Sequence, residues 1–159
     1  RTWQMSTIQL DMQMPQRFQL TYTDNNNKEK TPFVIHRAIY GSIERFIGVL
    51  LEHTKGHLPL WIAPIQVRVI NFTDRNNKAC ELIVNKLKQQ NIRADIDLNT
   101  EPLQGKIKQA EMEKVPVIVV IGNREEKDGT LAVRRNGKVK NIKREEFIGN
   151  IKKEIESKG

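Results

Sequence analysis

The run Val115-Pro116-Val117-Ile118-Val119-Val120-Ile121 decides the fold of this 159-residue chain. Its continuous apolar character is typical of a strand covered on both faces, as at the centre of a parallel sheet. Val67 to Phe72 predicts another buried strand, and the segment with Ala94, Ile96 and Leu98 predicts a third strand. Because parallel strands need long crossover connections, we expect helices between these runs.

Apolar residues recur at helical spacing in both segments that connect the three predicted strands. Behind Asp74, a good helix N-cap, one apolar face is formed by Ala79, Leu82, Ile83 and Leu87. Residues 105–113 predict a second helix. Leu131 to Arg135 and Lys138 to Ile142 flank Asn136-Gly137, a strong hairpin signal. The last segment, Lys143 to Lys158, predicts an amphipathic helix. The order β-α-β-α-β-β-α indicates a small α/β domain with a mixed sheet over residues 64–159.

Residues 1–58 have a different pattern and precede a proline-punctuated linker, residues 59–63. Trp3 to Met14 predicts a strand that Pro15 ends, and the alternation of Phe18, Leu20 and Tyr22 predicts a half-buried strand. Pro32 to Tyr40 predicts the returning strand of an antiparallel meander. Helical spacing begins only at Ser42 and stops near Lys55-Gly56.

Composition restricts the class of protein. Hydrophobic residues make up 38% and charged residues 29%, which fits a globular chain rather than a disordered one. No apolar stretch reaches the roughly 18 residues that a membrane span needs, so we expect no membrane partner. We expect the single cysteine, Cys80, to be a small buried residue, and its lack of a disulfide partner suits a reducing, cytoplasmic setting. The start, Arg1-Thr2-Trp3-Gln4, has no initiator Met and suggests a processed chain or a fragment.

Net charge is +8 and is uneven, since residues 61–159 hold 20 Lys and Arg against 14 Asp and Glu. This excess of six is compatible with nucleic-acid binding, and equally with lysine-rich helices that face only solvent.

The run from Ile35 to Gly48 brings site-type residues together. A strand carries His36 and leads through Ser42 into a helix whose first turn holds Arg45. Arg45 stands where a capping box would place Glu, and a cation there is locally unfavourable unless an anion binds. We therefore expect an anionic ligand at this helix start. Read on its own, Arg45 is equally a surface cation paired with Glu44 or Glu52, and His36 a structural histidine.

The chain also resembles a known family. Near the N-terminus the resemblance is carried by Arg1-Thr2-Trp3-Gln4-Met5-Ser6-Thr7-Ile8-Gln9-Leu10-Asp11, by Pro15-Gln16-Arg17-Phe18, and by Ile35-His36-Arg37-Ala38 with Ser42-Ile43-Glu44-Arg45-Phe46. These runs resemble the end of the threonyl-tRNA synthetase catalytic domain, with class II motif 3. Further on, similarity to the family's anticodon-binding domain is carried by Pro59 to Val67, Asp95 to Lys108, Val115-Pro116 and Gly129 to Arg134.

The resemblance implies ATP-dependent formation of threonyl-adenylate and transfer of threonine to its tRNA. Arg45 would be the catalytic motif 3 arginine that contacts ATP, bound as Mg-ATP. A planar guanidinium suits that role, because it stacks on a base and binds phosphate oxygens. The ATP and threonine pocket would also be lined by Gln4, Thr7, Gln9 and Ser42. Alternatively, the glutamines are outward-facing strand residues and Ser42 is only a cap.

His36 would be one of three zinc ligands. The family's other two, a cysteine and a histidine, have no counterpart in this chain, so a Zn²⁺ site cannot be completed here.

In the second domain the resemblance implies anticodon contacts by Thr100, Glu101, Lys106, Glu125 and Arg134. Arg and Glu can hydrogen-bond the edges of unstacked bases. The alternative for Glu125 and Arg134 is solvent-exposed hairpin charge. Thr100 and Gly105 depart from the asparagine and the aromatic residue that bacterial members typically carry.

Implied partners are tRNA(Thr), threonine and ATP, with a homodimer for the full-length enzyme. Class II motifs 1 and 2 are missing from the chain, so we expect it alone to be inactive. Two alternatives stay open: a non-catalytic tRNA-binding module or truncated paralogue, and an unrelated nucleotide-binding domain.

Overall fold

The computed structural model describes residues 2–158, which form two compact units, residues 2–53 and residues 54–158. The first contains β1 (Thr7–Asp11), α1 (Met14–Arg17), β2 (Tyr22–Thr23), β3 (Glu29–Lys30), β4 (Val34–Ala38) and α2 (Ile43–Thr54), which ends at the first residue of the second unit. β1 pairs with β4 and β2 with β3, each pair antiparallel. No helix within residues 2–158 combines the length and apolarity that a membrane crossing requires.

The predicted meander is wrong between β1 and β2. Asp11 Oδ1 accepts hydrogen bonds from the backbone N–H groups of Gln13 and Met14, both at 2.9 Å, and these end the strand. A short helix follows with Pro15 in its first turn, and Gln19 has a φ of +51°. Phe18 and Leu20 therefore lie in a turn, because local hydrogen bonding at Asp11 outweighs the alternation of apolar residues.

The first unit has almost no interior. Within residues 2–53 the only buried residue is Pro15. Large apolar side chains are instead exposed along both β1 and β4, including Ile8 at 71% and Ile35 at 66%. This unit is held mainly by its two ladders and by helix hydrogen bonds, and such small sheets are marginal in water.

The second unit is a five-stranded sheet with helices on both faces. Its elements are β5 (Val67–Asn71), a 3₁₀ turn (Asp74–Asn76), α3 (Asn77–Gln89), β6 (Ala94–Asp97), α4 (Leu103–Met112), β7 (Val117–Ile121), α5 (Asn123–Asp128), β8 (Thr130–Arg135), β9 (Lys138–Lys143) and α6 (Arg144–Ser157). The strand order is β6-β5-β7-β8-β9, with β5 parallel to β6 and β7 and the remaining pairs antiparallel. The predicted mixed sheet with a central apolar strand is confirmed.

Helices α3 and α6 cover one face of this sheet and α4 part of the other. The larger apolar cluster includes Val69, Leu87, Val119 and Phe147, and Cys80 lies within it as predicted. The smaller cluster joins α4 to the sheet through Ile70, Ile107, Ala110 and Ile118. On the α4 side neither cluster includes a residue of β8 or β9, so the alternate residues Thr130, Ala132 and Arg134 form part of an open sheet face.

Three boundaries in this unit differ from the prediction. β5 ends at Asn71, so Phe72 lies beyond the strand and is 58% exposed. The turn before α3 is capped through Thr73 and Asn76 rather than Asp74, because the Asn76 Oδ1 accepts from the Thr73 N–H at 3.3 Å. The sequence also does not predict α5, a short helix after β7.

The hairpin prediction is confirmed, and the left-handed φ values of Asn136 and Gly137, +50° and +73°, fit a type I′ turn.

Candidate functional site

The β1–β4 ladder places several of the expected pocket residues on one face. Gln9 pairs directly with His36, and Thr7 pairs with Ala38. Side chains of directly opposed residues project to the same side, and side chains two positions apart along a strand do so too. Thr7, Gln9, Asp11 and His36 therefore share one polar face, whereas Gln4 lies before β1 in an exposed segment.

His36 lies beside Asp11 on this face, with His36 Nε2 3.3 Å from Asp11 Oδ2. The pKa of the Asp11 carboxyl is lowered, first by the hydrogen bond from the Met14 N–H and then by contributions from Gln13 and His36. Among residues 2–158, no group of three or more His, Cys, Asp or Glu side chains is placed to hold a metal ion. The residues present do not fit a zinc site on their own.

The start of α2 is built as the sequence predicts. The Ser42 Oγ accepts a hydrogen bond from the Arg45 N–H at 3.1 Å, so Ser42 caps the helix. The guanidinium of Arg45 lies over the ring of Trp3, 5.5 Å from its centroid. This cation–π contact joins Arg45 to the segment that contains Gln4. The pKa of Glu44 is lowered, first by a hydrogen bond from the backbone N–H of Glu44 itself and then by a hydrogen bond from the Ser42 side chain.

In the second unit, three loops follow the carboxyl ends of adjacent parallel strands. Thr100 and Glu101 follow β6, Phe72 follows β5, and Glu125 follows β7. In open α/β sheets, ligands bind beyond the carboxyl ends of strands, at the point where the strand order reverses. Here the order reverses at β5, which has β6 on one side and β7 on the other.

Glu125 is half-buried at the start of α5, where its Oε2 accepts from the Gly122 N–H at 3.0 Å. Behind it, the buried side chain of Asn76 donates to the Asn123 Oδ1 at 3.0 Å and to the Glu126 Oε2 at 2.8 Å. Asn76 thereby joins the loop after β5 to the loop after β7. Sequence reasoning missed Asn76, and the only signal was its place three residues after Thr73.

Lys106 does not reach the surface. It is only 3% exposed, and its Nζ donates to the Asn71 Oδ1 at 2.5 Å. The Asn71 amide in turn donates to the Asn77 Oδ1 at 2.7 Å. The expected direct contact between Lys106 and an anticodon base does not fit this burial, because the ammonium is turned into the protein. Lys106 instead positions the end of β5.

Arg134 lies on β8 opposite Ile118, on the open sheet face beside α4. Its Nη1 is 3.4 Å from the Glu111 Oε1, and its side chain is 28% exposed. A cleft of about 330 Å³ adjoins it and is also lined by His57 and Lys114. Arg134 pairs with Ile118, and Gly122 lies four residues further along the chain, which is about 13 Å at the rise of a strand. Glu125 lies three residues beyond Gly122. The structure does not bring the two expected base-reading residues together, so they would contact different nucleotides.

Other cations are already engaged within the fold. Arg68 donates to Asp95 and Glu113, with shortest contacts of 2.6 Å to each, and these hydrogen bonds, led by the one to Asp95, raise its pKa. Arg135 pairs with Glu154, which lowers the pKa of that carboxyl. Arg68 and Arg135 are structural cations.

Comparisons with known proteins match the two units of the chain to two different family models. Residues 66–154 match the family model described as anticodon binding domain, and residues 1–54 match the tRNA synthetase class II core domain (G, H, P, S and T). Threonine–tRNA ligase of Aquifex aeolicus is 44% identical over 160 residues, which cover 99% of this chain and 25% of that protein. The threonine–tRNA ligase catalytic subunit of Saccharolobus islandicus is 45% identical over 157 residues, covering 98% of this chain and 29% of that protein.

The RNA binding domain of threonyl-tRNA synthetase from Cryptosporidium parvum superposes with a TM-score of 0.87 at 30% identity, covering 96% of this chain and 40% of that one. The chain thus spans only about a quarter of the length of the curated relatives it matches. By these matches the chain belongs to the anticodon-binding-domain family, and it is homologous to the C-terminal part of threonine–tRNA ligases.

Proposed function

We propose that this chain supplies motif 3 and the anticodon-recognition domain of a threonine–tRNA ligase. The observation that supports it most is the pairing of two sites in one chain. The first unit holds a polar strand face and an arginine at a capped helix start, and the second holds an open sheet face with Arg134. The reaction would join the threonine carboxylate to the α-phosphate of ATP, giving threonyl-adenylate and pyrophosphate, and then transfer threonine to tRNA(Thr) with release of AMP.

Arg45 is the catalytic residue of the first unit in this proposal. Arg45 belongs to the first turn of α2, and its guanidinium lies over the Trp3 ring. A planar cation in this setting can stack on adenine and stabilise the negative charge that develops on the leaving pyrophosphate. Thr7 and Gln9, on the shared strand face, would line the threonine and ATP pocket together with Gln4 and Ser42.

The first unit would work only as part of a longer catalytic domain. Its single buried residue within residues 2–53 and its exposed apolar strand faces indicate that further protein covers it. His36 would provide a zinc ligand only if the remaining ligands came from that further protein. For the complete enzyme we propose Mg-ATP as substrate, a homodimeric state and a cytoplasmic location. We expect no ATP–pyrophosphate exchange by this chain alone.

The second unit would bind the anticodon loop of tRNA(Thr). Arg134 and Glu125 would hydrogen-bond the edges of different unpaired bases, and Thr100 and Glu101 would lie, like Glu125, beyond the carboxyl ends of the parallel strands. The excess of six basic residues over residues 61–159 would attract the phosphate backbone.

The test is binding of the 159-residue chain to tRNA(Thr), measured by fluorescence anisotropy over a range of salt concentrations. We expect affinity to fall as salt rises, and Arg134→Ala and Glu125→Gln each to weaken binding by about 5- to 100-fold. Glu125→Gln keeps an oxygen that can accept from the Gly122 N–H. Lys153→Ala, which removes an exposed cation of α6, is the matched control. If both variants bind as tightly as the control, the anticodon assignment is wrong.

A non-catalytic tRNA-binding module is the second candidate. It is favoured by the scarcity of buried residues in the first unit, because within residues 2–158 the buried apolar clusters of an independent domain lie in the second unit. The reading frame of the parent gene distinguishes the two, since a natural start near Arg1 would favour the module.

A further inference from the structure

We propose that Phe72 is a stacking platform for an unpaired RNA base whose edge is bound by Glu125. This inference rests on the proposed function and deepens it. It assigns a role to a residue that the apolar pattern of β5 predicts to be buried.

Phe72 is fixed in position and exposed. Its backbone N–H donates to the Ile121 carbonyl at 2.9 Å, which extends the β5–β7 pairing by one residue. Its side chain nevertheless remains 58% exposed. The ring therefore stands on a rigid strand end, at the edge of the sheet where ligands of open α/β folds bind.

The fold does not use this ring in its core. Residues 54–158 contain three aromatic side chains, Trp61, Phe72 and Phe147. Phe147 is 2% exposed and belongs to the main apolar cluster, and Trp61 lies under the Lys158 ammonium at 6.0 Å. Phe72 belongs to neither apolar cluster of the described chain. An exposed aromatic ring next to polar loops is what single-stranded nucleic-acid sites use to stack bases.

Gly122 brings the ring and the carboxylate close together. A β-carbon built on Gly122 would lie 3.5 Å from the Phe72 Cβ, 3.7 Å from its Cγ and 3.0 Å from the Glu125 Oε2. The Cβ and Cγ atoms of Phe72 and the carboxylate of Glu125 therefore both lie beside Gly122. A base stacked on the ring would direct its hydrogen-bonding edge sideways, where a carboxylate can accept from its N–H groups.

The two loops that carry these side chains are joined before any ligand binds. Asn76 accepts from both the N–H and the Oγ1 of Thr73, the residue after Phe72, and donates to Asn123 and Glu126 on either side of Glu125. Such a connection reduces the ordering that binding must otherwise impose. The excess of six basic residues over residues 61–159 attracts a polyanion, and the exposed Phe72 ring favours RNA, whose unpaired bases have flat faces that stack, over an acidic protein.

The experiment uses the 159-residue chain and an anticodon stem-loop of tRNA(Thr) with 2-aminopurine at one loop position at a time. We expect wild type to quench the fluorescence of at least one position through stacking. Phe72→Leu should abolish that quenching and weaken binding about 5- to 100-fold, with an unchanged salt dependence because no phosphate contact is lost. Phe72→Trp should retain the quenching and bind within about threefold of wild type. The control is Leu82→Ala, which removes an equally exposed apolar side chain on α3.

The outcomes separate this inference from the proposed function. If Phe72→Leu binds and quenches like wild type while Arg134→Ala is weakened, the stacking role is wrong and the anticodon assignment stands. If Phe72→Leu and Leu82→Ala lose affinity equally, or if the salt dependence changes, Phe72 is not a stacking platform. If wild type does not bind the stem-loop, the proposed function and this inference both fail.

Discussion

Asn76 shows how one side chain fixes the geometry of the second unit. It has no exposed surface, and both ends of its amide are used: the oxygen towards Thr73 and the nitrogen towards Asn123 and Glu126. A buried amide that makes hydrogen bonds at both ends specifies one arrangement of its loops, because every alternative leaves polar groups without partners.

We predict that Asn76→Ala lowers the free energy of unfolding by about 1–3 kcal/mol, since removal of the amide leaves its buried partners without their hydrogen bonds. Urea denaturation of the 159-residue chain measures this. Asn85→Ala, at an exposed position of α3, is the matched control and should stay within about 0.5 kcal/mol of wild type. Equal stability of Asn76→Ala and wild type would show that the connection between the loops contributes nothing to folding.

The residues of the candidate site were predictable to different extents. Arg45, His36, Glu125 and Arg134 came from motif resemblance, which identifies a residue type at a position but not its exposure. Lys106 shows the limit, because only the packing of α4 against β5 turns its ammonium inward. The exposure of Phe72 is not predicted either, since the sequence indicates one strand from Val67 to Phe72, whereas β5 ends one residue earlier at Asn71.

Among the elements, the β8–β9 hairpin depends most directly on local sequence. Asn136 and Gly137 both adopt positive φ values, and a β-carbon added to Gly137 would meet no atom within 4 Å. The requirement for glycine there is therefore conformational rather than steric. Gly149, inside α6, also has open space around its missing β-carbon, but it lies in a regular helix.

Replacing these two glycines by alanine should change the free energy of unfolding in opposite directions. Gly137→Ala should lower the free energy of unfolding by about 1 kcal/mol, because alanine is strained at a φ of +73°. Gly149→Ala should raise it by about 0.5–1 kcal/mol through helix propensity. Thermal unfolding of the two variants beside wild type measures both. Destabilisation by both substitutions would mean that packing, rather than backbone conformation, decides at these positions.

Elements were predictable where local and tertiary preferences agree. The central strand β7, the hairpin and α6 each have a strong pattern that matches their place in the fold. Phe18 and Leu20 do not form the predicted strand, because alternation indicates a strand only where a neighbouring strand pairs with it. Here Asp11 forms hydrogen bonds with the following backbone, and β1 pairs instead with β4.

At the scale of the whole molecule, stability is unevenly divided. Both apolar clusters lie in the second unit, whereas the first unit buries only Pro15 within residues 2–53. Hydrophobic burial is the main favourable term in folding, so the second unit should carry nearly all the stability of the chain.

Amide hydrogen exchange of the 159-residue chain tests this division. Amides of β5 and β7 should exchange slowest, because they open only on global unfolding of the second unit. Amides of β1 and β4 should exchange several orders of magnitude faster, since their ladder opens without exposing a core. Exchange of the chain in concentrated urea gives the unprotected reference rate for each segment. Equal protection of the two ladders would contradict the division. In the longer threonine–tRNA ligase proposed above, we expect β1 and β4 to exchange as slowly as β5, because further protein would cover the exposed apolar side chains of the first unit.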